Sequence, residues 1–348
     1  MSQYTLKVKE VVKETSDAAT IVFDNKDNLK YKSGQFLTFI LNINGENLRR
    51  SYSLCSAHGV DKDLAVTVKK VANGKASNFL VDKIKEGDAI EVMEPMGVFN
   101  LETSASNKRD IVLIGAGSGI TPLMSMLKSI LFSEPGSKVY LIYANRDESS
   151  VIFESKLKEF GAQYSDRLQV AHVYSNPKGN YDISGRLNNV KILSLLDKFG
   201  IAGIRQALFF TCGPHGFMEE VFKAAETLKV PKEHVHKENF ASHLAETPVI
   251  SVNGSKAGEE LVTIRYRKKE YKVKVPVNSS ILEAALDENI DLPYSCQSGM
   301  CTACMGKCTS GKVQMSDPDG LSDNEVKKGY VLTCVARPVT SDVVIEID

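Results

Sequence analysis

Cys296-Gln297-Ser298-Gly299-Met300-Cys301-Thr302-Ala303-Cys304, answered thirty residues later by Cys334 in Leu332-Thr333-Cys334-Val335-Ala336-Arg337-Pro338, is the stretch that decides how this chain is read. The spacing is C-x4-C-x2-C with a distant fourth cysteine, the arrangement that holds a plant-type [2Fe-2S] cluster. Three thiolates from one loop reach the irons only if the backbone curls round the inorganic core. Gly299, with no Cβ, permits that curl and lets amide N–H groups approach the sulfurs. A structural zinc site would present two C-x2-C knuckles, and only Cys301 and Cys304 form one. A bacterial [4Fe-4S] run needs C-x2-C-x2-C-x3-C-P, which is missing here. Cys308 is then a spare thiol, read as a small core side chain on the face it shares with Cys304 rather than as a ligand.

Outward from the cysteines, 348 residues are too many for one ordinary core and imply two or three domains. The 43 basic residues balance 43 acidic ones, so nothing in the charge recommends a nucleic-acid partner. No apolar run approaches the roughly 18 residues of a membrane span. The opening Met1-Ser2-Gln3-Tyr4-Thr5-Leu6-Lys7 has no apolar signal core. Seven cysteines, four of them assigned to iron, suit a reducing compartment, and a cytoplasmic protein without membrane insertion is expected.

Three patterns succeed one another. Over residues 1–104, short alternating runs (Tyr4 to Val12, Gln35 to Leu41, Leu64 to Val71) are parted by turns at Asn44-Gly45 and Glu86-Gly87-Asp88, which predicts an antiparallel β-barrel. Over 105–243, apolar strands alternate with helices: Ile111 to Ile114, a helix from Pro122 to Leu131, Val139 to Tyr143, a helix near Phe153 to Phe160, Leu168 to Tyr174, Ala207 to Thr211, and a helix near Gly216 to Leu228. Such alternation predicts an α/β doubly wound parallel sheet. A linker is expected at 244–260. After it, residues 261–348 carry a hairpin-like pair (Leu261 to Tyr266, Tyr271 to Val277), a helix from Ile281 to Glu288 capped by Ser279 or Ser280, and the cysteine loop.

The strand at Ile111 runs into Gly115-Ala116-Gly117-Ser118-Gly119-Ile120-Thr121-Pro122, a glycine-rich turn opening a helix, where backbone amides meet a pyrophosphate. The spacing is G-x-G-x-G rather than the full dinucleotide fingerprint, and Ala144-Asn145-Arg146 supplies no carboxylate at the end of the next strand for a ribose 2′-OH. In the first region, Arg50-Ser51-Tyr52-Ser53 ends a predicted strand, and Gly74-Lys75-Ala76-Ser77 precedes a helical stretch from Asn78 to Lys83. An arginine suits a pyrophosphate, an aromatic ring a flat heterocycle, and a helix start at Ser77 a phosphate. Singly, each reads as well as a surface charge, a core ring and an N-cap.

Together, Arg50-x-Tyr52-Ser53, Gly74-x-x-Ser77, Gly115 to Pro122, Cys212-Gly213-Pro214 and the cysteine pattern stand in the order of the ferredoxin-NADP reductase superfamily fused to a C-terminal ferredoxin. Asn145-Arg146, Gly185-Arg186-Leu187, His236-x-Glu238-x-Phe240 and Tyr330 to Cys334 extend the likeness over nearly the whole chain. It resembles the reductase components of bacterial multicomponent oxygenases, particularly the phenylacetyl-CoA epoxidase reductase subunits.

The resemblance implies a β-barrel flavin domain, an NAD(P) domain and a β-grasp ferredoxin domain. It implies FAD rather than FMN, with NADPH or NADH as donor and an oxygenase or similar acceptor protein as partner. Arg50 would face the flavin pyrophosphate, Tyr52 the isoalloxazine and ribityl region, and Ser53 the reactive N5 edge. Gly74, Lys75, Ala76 and Ser77 would cradle the flavin phosphates. Gly115, Gly117 and Gly119 would meet the dinucleotide, Thr121 its nicotinamide end, and Cys212, with Gly213 and Pro214, the hydride-transfer site. Phe240 would lie near the flavin ring or pack a domain interface.

A nicotinamide gives two electrons as one hydride and a [2Fe-2S] cluster takes one at a time, so flavin is the expected converter between them. Cys212 is read as positioning or packing rather than as a nucleophile. Arg146, Ser175 and Lys178 tilt the donor toward NADPH. A general ferredoxin- or flavodoxin-type reductase serving a desaturase or hydroxylase, a non-enzymatic electron carrier with degenerate nucleotide folds and a zinc-stabilised regulatory module stand as the alternatives.

Overall fold

A computed structural model describes residues 2–26, 29–238, 240, 260–316 and 318–347, and the chain divides into two compact units, Met1–Phe240 and Ala241–Asp348. The expected linker at 244–260 lies outside the described residues except for Glu260, which opens a strand.

The first unit begins with strands β1 (Gln3–Lys13), β2 (Ala18–Phe23), β3 (Phe36–Ile43), β4 (Glu46–Ser53), β5 (Leu64–Lys69) and β6 (Ala89–Met93), hydrogen-bonded in the order β4-β3-β6-β1-β2-β5. All pairings are antiparallel, and a bridge between Leu54 and Val66 joins the end of β4 to β5, closing the barrel. The β3–β4 hairpin turns on Asn44 and Gly45, both at positive φ (55° and 85°), the two left-handed residues a tight hairpin requires. Leu6, Ile21, Phe23, Leu37, Phe39, Leu64 and Val66 fill the interior, and helix α1 (Lys75–Asp82) plugs it with Leu80.

The chain then forms β7 (Asp110–Ala116), α2 (Ile120–Ser133), β8 (Lys138–Asn145), α3 (Glu154–Gln163), β9 (Leu168–Tyr174), α4 (Asn189–Phe199), β10 (Leu208–Cys212), α5 (His215–Thr227) and β11 (Val235–Glu238). The sheet is wholly parallel, in the order β11-β10-β7-β8-β9. The chain winds from β7 outward through β9 and then crosses to β10 on the other side, so the winding reverses between β7 and β10. Ligands of open α/β sheets bind beyond the carboxyl ends of the strands at such a reversal. The sequence reading lacked two elements of this sheet. One is α4, set by the Asn188 cap on Lys191 N–H and by buried Ile192, Leu195 and Leu196. The other is β11, a four-residue strand too short for a period to declare itself.

Helix α2 is buried nearly all round, as a helix apolar on every face must be. The barrel covers it through Ser125 Oγ donating to Ser56 O (2.6 Å), the Ser33–Ser129 hydroxyl pair (2.5 Å) and Lys128 on Asp61 (2.9 Å). At its C-terminus the fully buried Glu134 carboxylate accepts from Arg109 Nη2 (2.6 Å), Asn107 Nδ2 (2.7 Å) and Ser137 Oγ (2.7 Å), which ties the entry of β7 to the exit of α2. A second tie is the carboxylate of Glu14, just past the end of β1, which accepts the N–H of Phe153 (3.1 Å), the left-handed residue before α3.

The second unit comprises β12 (Glu260–Tyr266), β13 (Lys269–Val275), α6 (Ile281–Asp287), β14 (Met305–Ser310), β15 (Val313–Met315), α7 (Asp323–Lys327), β16 (Tyr330–Leu332), β17 (Ala336–Pro338) and β18 (Val344–Ile347). The mixed sheet runs β13-β12-β18-β14-β16 with β12 and β18 parallel, and β15 pairs with β17 apart from it. Helix α6 lays Ile281, Leu282, Ala284 and Ala285 in one core with Val262, Ile264, Val273 and Ile345, the grasp expected for this part of the chain. Ser280 caps it, accepting from Glu283 N–H (3.1 Å) while Glu283 accepts from Ser280 N–H (2.8 Å).

Candidate functional site

In the second unit the cysteine loop curls through Gln297 (φ 55°) and Gly299 (φ 75°). This brings Cys301 Sγ to 3.3 Å from Cys296 Sγ, with Ser298 N–H donating to Cys296 Sγ at 3.4 Å. Cys334 contacts both Cys296 and Cys304 through sulfur. Its element is fixed by Thr333, whose N–H (3.1 Å) and Oγ1 (3.0 Å) both donate to Cys304 O. Cys301, Cys304 and Cys334 are buried, and none of the four is in a disulfide. The thiols share their protons: hydrogen bonds from Cys301 and Cys334 lower the Cys296 thiol, and the same contacts raise those of Cys301 and Cys334.

Four convergent free thiols around a curled loop, one already receiving an amide N–H, fit a [2Fe-2S] group. Gly320 was not foreseen. Its N–H donates to Gly299 O (2.7 Å), and a Cβ there would come within 2.9 Å of Cys301 N, so a second glycine holds the loop from outside. Cys308 is half-buried against the domain core, away from the quartet, with its thiol donating to Ser310 O (3.2 Å).

In the first unit, β4 presents Arg50 and Tyr52 on one face and Ser53 on the other, as a two-residue period dictates. Arg50 is exposed, with Nη1 donating to Arg49 O (2.7 Å). Tyr52 packs on Phe39 at 5.2 Å between ring centroids, and burial pushes its phenol well above the usual range. Near it, α1 starts at Lys75 with Gly74 as its N-cap, earlier than the sequence reading placed it. The reason is that Ser77 Oγ accepts Val71 N–H (3.0 Å) inside the helix instead of capping its start. A Cβ on Gly74 would lie 2.6 Å from that hydroxyl. No side chain caps α1, so its leading amides stay available to a phosphate. Lys75 is paired with Glu46 (2.5 Å).

At the reversal of the sheet, Gly117 (φ 54°) takes the chain from β7 into a turn that leads into α2. A Cβ on Gly117 would meet nothing within 4 Å, the open side that a ligand can approach, whereas one on Gly119 would lie 2.1 Å from Cys212 O. Gly213 is also closely placed, its Cβ position 2.7 Å from the Phe217 ring and 3.0 Å from Ala116 Cβ by the same measure. The glycine turn and Cys212-Gly213-Pro214 are therefore in direct backbone contact. Buried Tyr143 steadies the turn from below, donating to Gly117 O (3.0 Å), and Thr121 Oγ1 donates to Ser118 O (3.0 Å).

The barrel and the sheet meet over this spot. Ser53 Oγ donates to Glu238 Oε2 at 3.3 Å, and Glu238 ends β11 directly beside Cys212 in the β10–β11 register. All three side chains are buried. Burial, reinforced by the Glu238 charge, raises the Cys212 thiol well above its ordinary value, so it is a neutral group and not a nucleophile. Glu238 had no role in the sequence reading beyond its place in His236-x-Glu238-x-Phe240, because it closes a short, largely polar edge strand, Val235-His236-Lys237-Glu238, in which one more charge does not stand out. Phe240 follows two residues later and is 42% exposed. Arg146 is exposed beyond β8, apart from this cluster.

Comparison with known proteins gives this geometry its family. Residues 3–101 match an oxidoreductase FAD-binding domain, 113–223 an oxidoreductase NAD-binding domain and 264–339 a 2Fe-2S iron-sulfur cluster binding domain. The ferredoxin reductase component of 3-ketosteroid-9-alpha-monooxygenase from Rhodococcus rhodochrous is 37% identical over 98% of this chain and 96% of its own length. The chain belongs to the oxygenase reductase family. A 1,2-phenylacetyl-CoA epoxidase subunit from Escherichia coli is 35% identical to this reductase over 99% of the chain and 98% of its own length. The solved structure of phthalate dioxygenase reductase superposes on 99% of the reductase and 98% of that protein, with TM-score 0.64 and 25% identity. This reductase is an oxidoreductase with FAD, nicotinamide and [2Fe-2S] domains and an electron-transfer role. The alternatives of a degenerate carrier and a zinc module are not favoured. Among the described residues no helix is long and apolar enough to cross a membrane.

Proposed function

We propose that this reductase draws electrons from NADH or NADPH and delivers them singly to the oxygenase of a multicomponent system that acts in catabolism of an aromatic or related compound. Relatives named as components of ketosteroid, phenylacetyl-CoA and glycine betaine oxygenation systems support the acceptor class. When bound, the flavin would take a hydride and release single electrons, and the cluster would relay them. Everything else falls to the chain's own groups.

Arg50 and the open start of α1 at Gly74 to Ser77 would bind the flavin's pyrophosphate, and Tyr52 would line its ring system. Gly115, Gly117 and Gly119 would let the dinucleotide lie on the backbone at the start of α2, with Thr121, Gly213 and Pro214 shaping the nicotinamide end. Cys212 would present a neutral, apolar surface to the nicotinamide and help exclude water. Ser53 would keep its Oγ proton and donate it in a hydrogen bond, either to the Glu238 carboxylate 3.3 Å away or to the flavin edge. Cys296, Cys301, Cys304 and Cys334 would carry the iron. Phe240 would cover the flavin face.

The observation that carries this reading is the meeting of Ser53 from the barrel with Glu238 and Cys212 from the sheet at its winding reversal. Rapid mixing of the oxidised protein with excess NADH or NADPH without oxygen tests it: flavin absorbance bleaches first and cluster absorbance follows. Ser53→Ala should slow the first phase about tenfold with flavin content unchanged. Full-speed bleaching in that variant would remove Ser53 from the chemistry.

A further inference from the structure

In a sheet of this kind the adenosine ribose lies beyond the carboxyl end of the strand after the glycine turn, here β8. Past Asn145 the chain turns through Arg146 and Asp147 into a single helical turn, Glu148–Ser150. The loop leaving β9 folds against it, with Ser175 N–H donating to Asn145 O (2.9 Å) and Asn176 N–H to Arg146 O (2.7 Å). The next amides of that loop converge on one acceptor. Lys178 N–H lies 3.1 Å from both carboxylate oxygens of Glu148, and Gly179 N–H lies 2.9 Å from Oε1. Tyr181 bonds the same carboxylate through its hydroxyl.

Successive amides aimed at one point form a nest that binds an anion, phosphate included. Here the chain supplies the anion. Arg146 and Lys178, the cations available for a 2′-phosphate, act on Asp147, and Glu148 sits on the Lys178 amide, so the turn sets two carboxylates against two cations rather than leaving a cationic pocket. Asn145, 8% exposed at the end of β8, has no hydrogen-bond partner of normal distance and angle for its side-chain amide, a neutral group at the ribose end of the crevice.

We propose that Glu148 is the residue that selects the unphosphorylated dinucleotide: its carboxylate occupies the amides a 2′-phosphate would need and repels that phosphate, so the donor is NADH. This reverses the tilt toward NADPH drawn from Arg146, Ser175 and Lys178 alone, because the backbone of Lys178 is already engaged. The bonds from its own N–H and from Gly179 and Lys178 hold the Glu148 carboxyl down to about 2, so the resident charge persists at every working pH.

The inference rests on reading the β7–β8 crevice as the dinucleotide site, and its test separates the two. The holoprotein and its Glu148→Gln variant, which keeps an amide oxygen for the nest, are compared for kcat/KM with NADH and NADPH and for calorimetric binding of 5′-AMP and 2′,5′-ADP. The wild type should prefer NADH by about tenfold or more. In the variant that preference should fall about tenfold, through KM for NADPH, and 2′,5′-ADP should bind tighter while 5′-AMP does not. A wild type that prefers NADPH would overturn the inference, and so would a variant in which both dinucleotides and both nucleotides change by one common factor. If neither dinucleotide bleaches the flavin, the proposed function fails, and the comparison of 5′-AMP with 2′,5′-ADP still decides the role of Glu148.

Discussion

Gly119→Ala puts the contact between the glycine turn and the Cys212 loop under direct strain. The new Cβ would lie 2.1 Å from Cys212 O and 2.5 Å from Cys212 C, both main-chain atoms that no rotamer change can move. Restoring an ordinary contact requires the turn and the loop to part by about 1.3 Å. Overpacking of this kind costs about 1–3 kcal/mol of stability, and a displacement of about 1 Å at a reacting centre costs on the order of 100-fold in rate. The variant should therefore fold with a lowered Tm and reduce ferricyanide with kcat/KM for the nicotinamide down about 100-fold, flavin and iron contents intact. Gly161→Ala on α3 is the control: its Cβ meets nothing within 4 Å, and neither Tm nor kcat/KM should fall. Gly119→Ala with kcat/KM within threefold of wild type would refute the claim that this backbone contact positions the nicotinamide.

Cys304→Ser should lose the cluster's visible absorption and the reduction of one-electron protein acceptors, yet keep nicotinamide-driven reduction of ferricyanide, which flavin alone supports; iron and labile-sulfide analysis with both assays checks this. Arg109→Ala leaves the Glu134 carboxylate buried beside Asn107 and Ser137 without its cation, and denaturant unfolding should show a loss of about 3 kcal/mol. The raised Cys212 thiol makes the folded state hold a proton that the unfolded chain releases above its ordinary value near 9. Its contribution to stability is thus complete below that pH and declines above it, and at pH 8 iodoacetamide should leave Cys212 unmodified until the protein unfolds.

Legibility in the sequence followed the length scale of each signal. The cysteine spacing and the glycine turn are local, so Cys296 to Cys304 and Gly115 to Gly119 could be read directly. Strands such as β8 and helices such as α2 are near-continuous apolar runs and were visible for the same reason. The Ser53–Glu238 pair joins residues 185 positions apart and exists only because the barrel and β11 meet over β10. Ser77 looked like a helix cap because an N-cap and a first-turn serine share one local pattern. Only the partner, Val71 N–H, separates them. Glu148 was hidden because its carboxylate follows the end of β8 by three residues, and its meaning lies in the amides of a loop thirty residues on.

The central claim is that Cys296, Cys301, Cys304 and Cys334 hold a two-iron cluster that receives single electrons originating from the nicotinamide. Low-temperature electron paramagnetic resonance of the anaerobically purified protein, before and after NADH, tests it most directly. The account predicts silence in the oxidised protein, then a signal with average g below 2 approaching one spin per chain, together with two irons and two labile sulfides per chain. A protein that contains zinc or no metal, or that bleaches its flavin without any such signal, would contradict it.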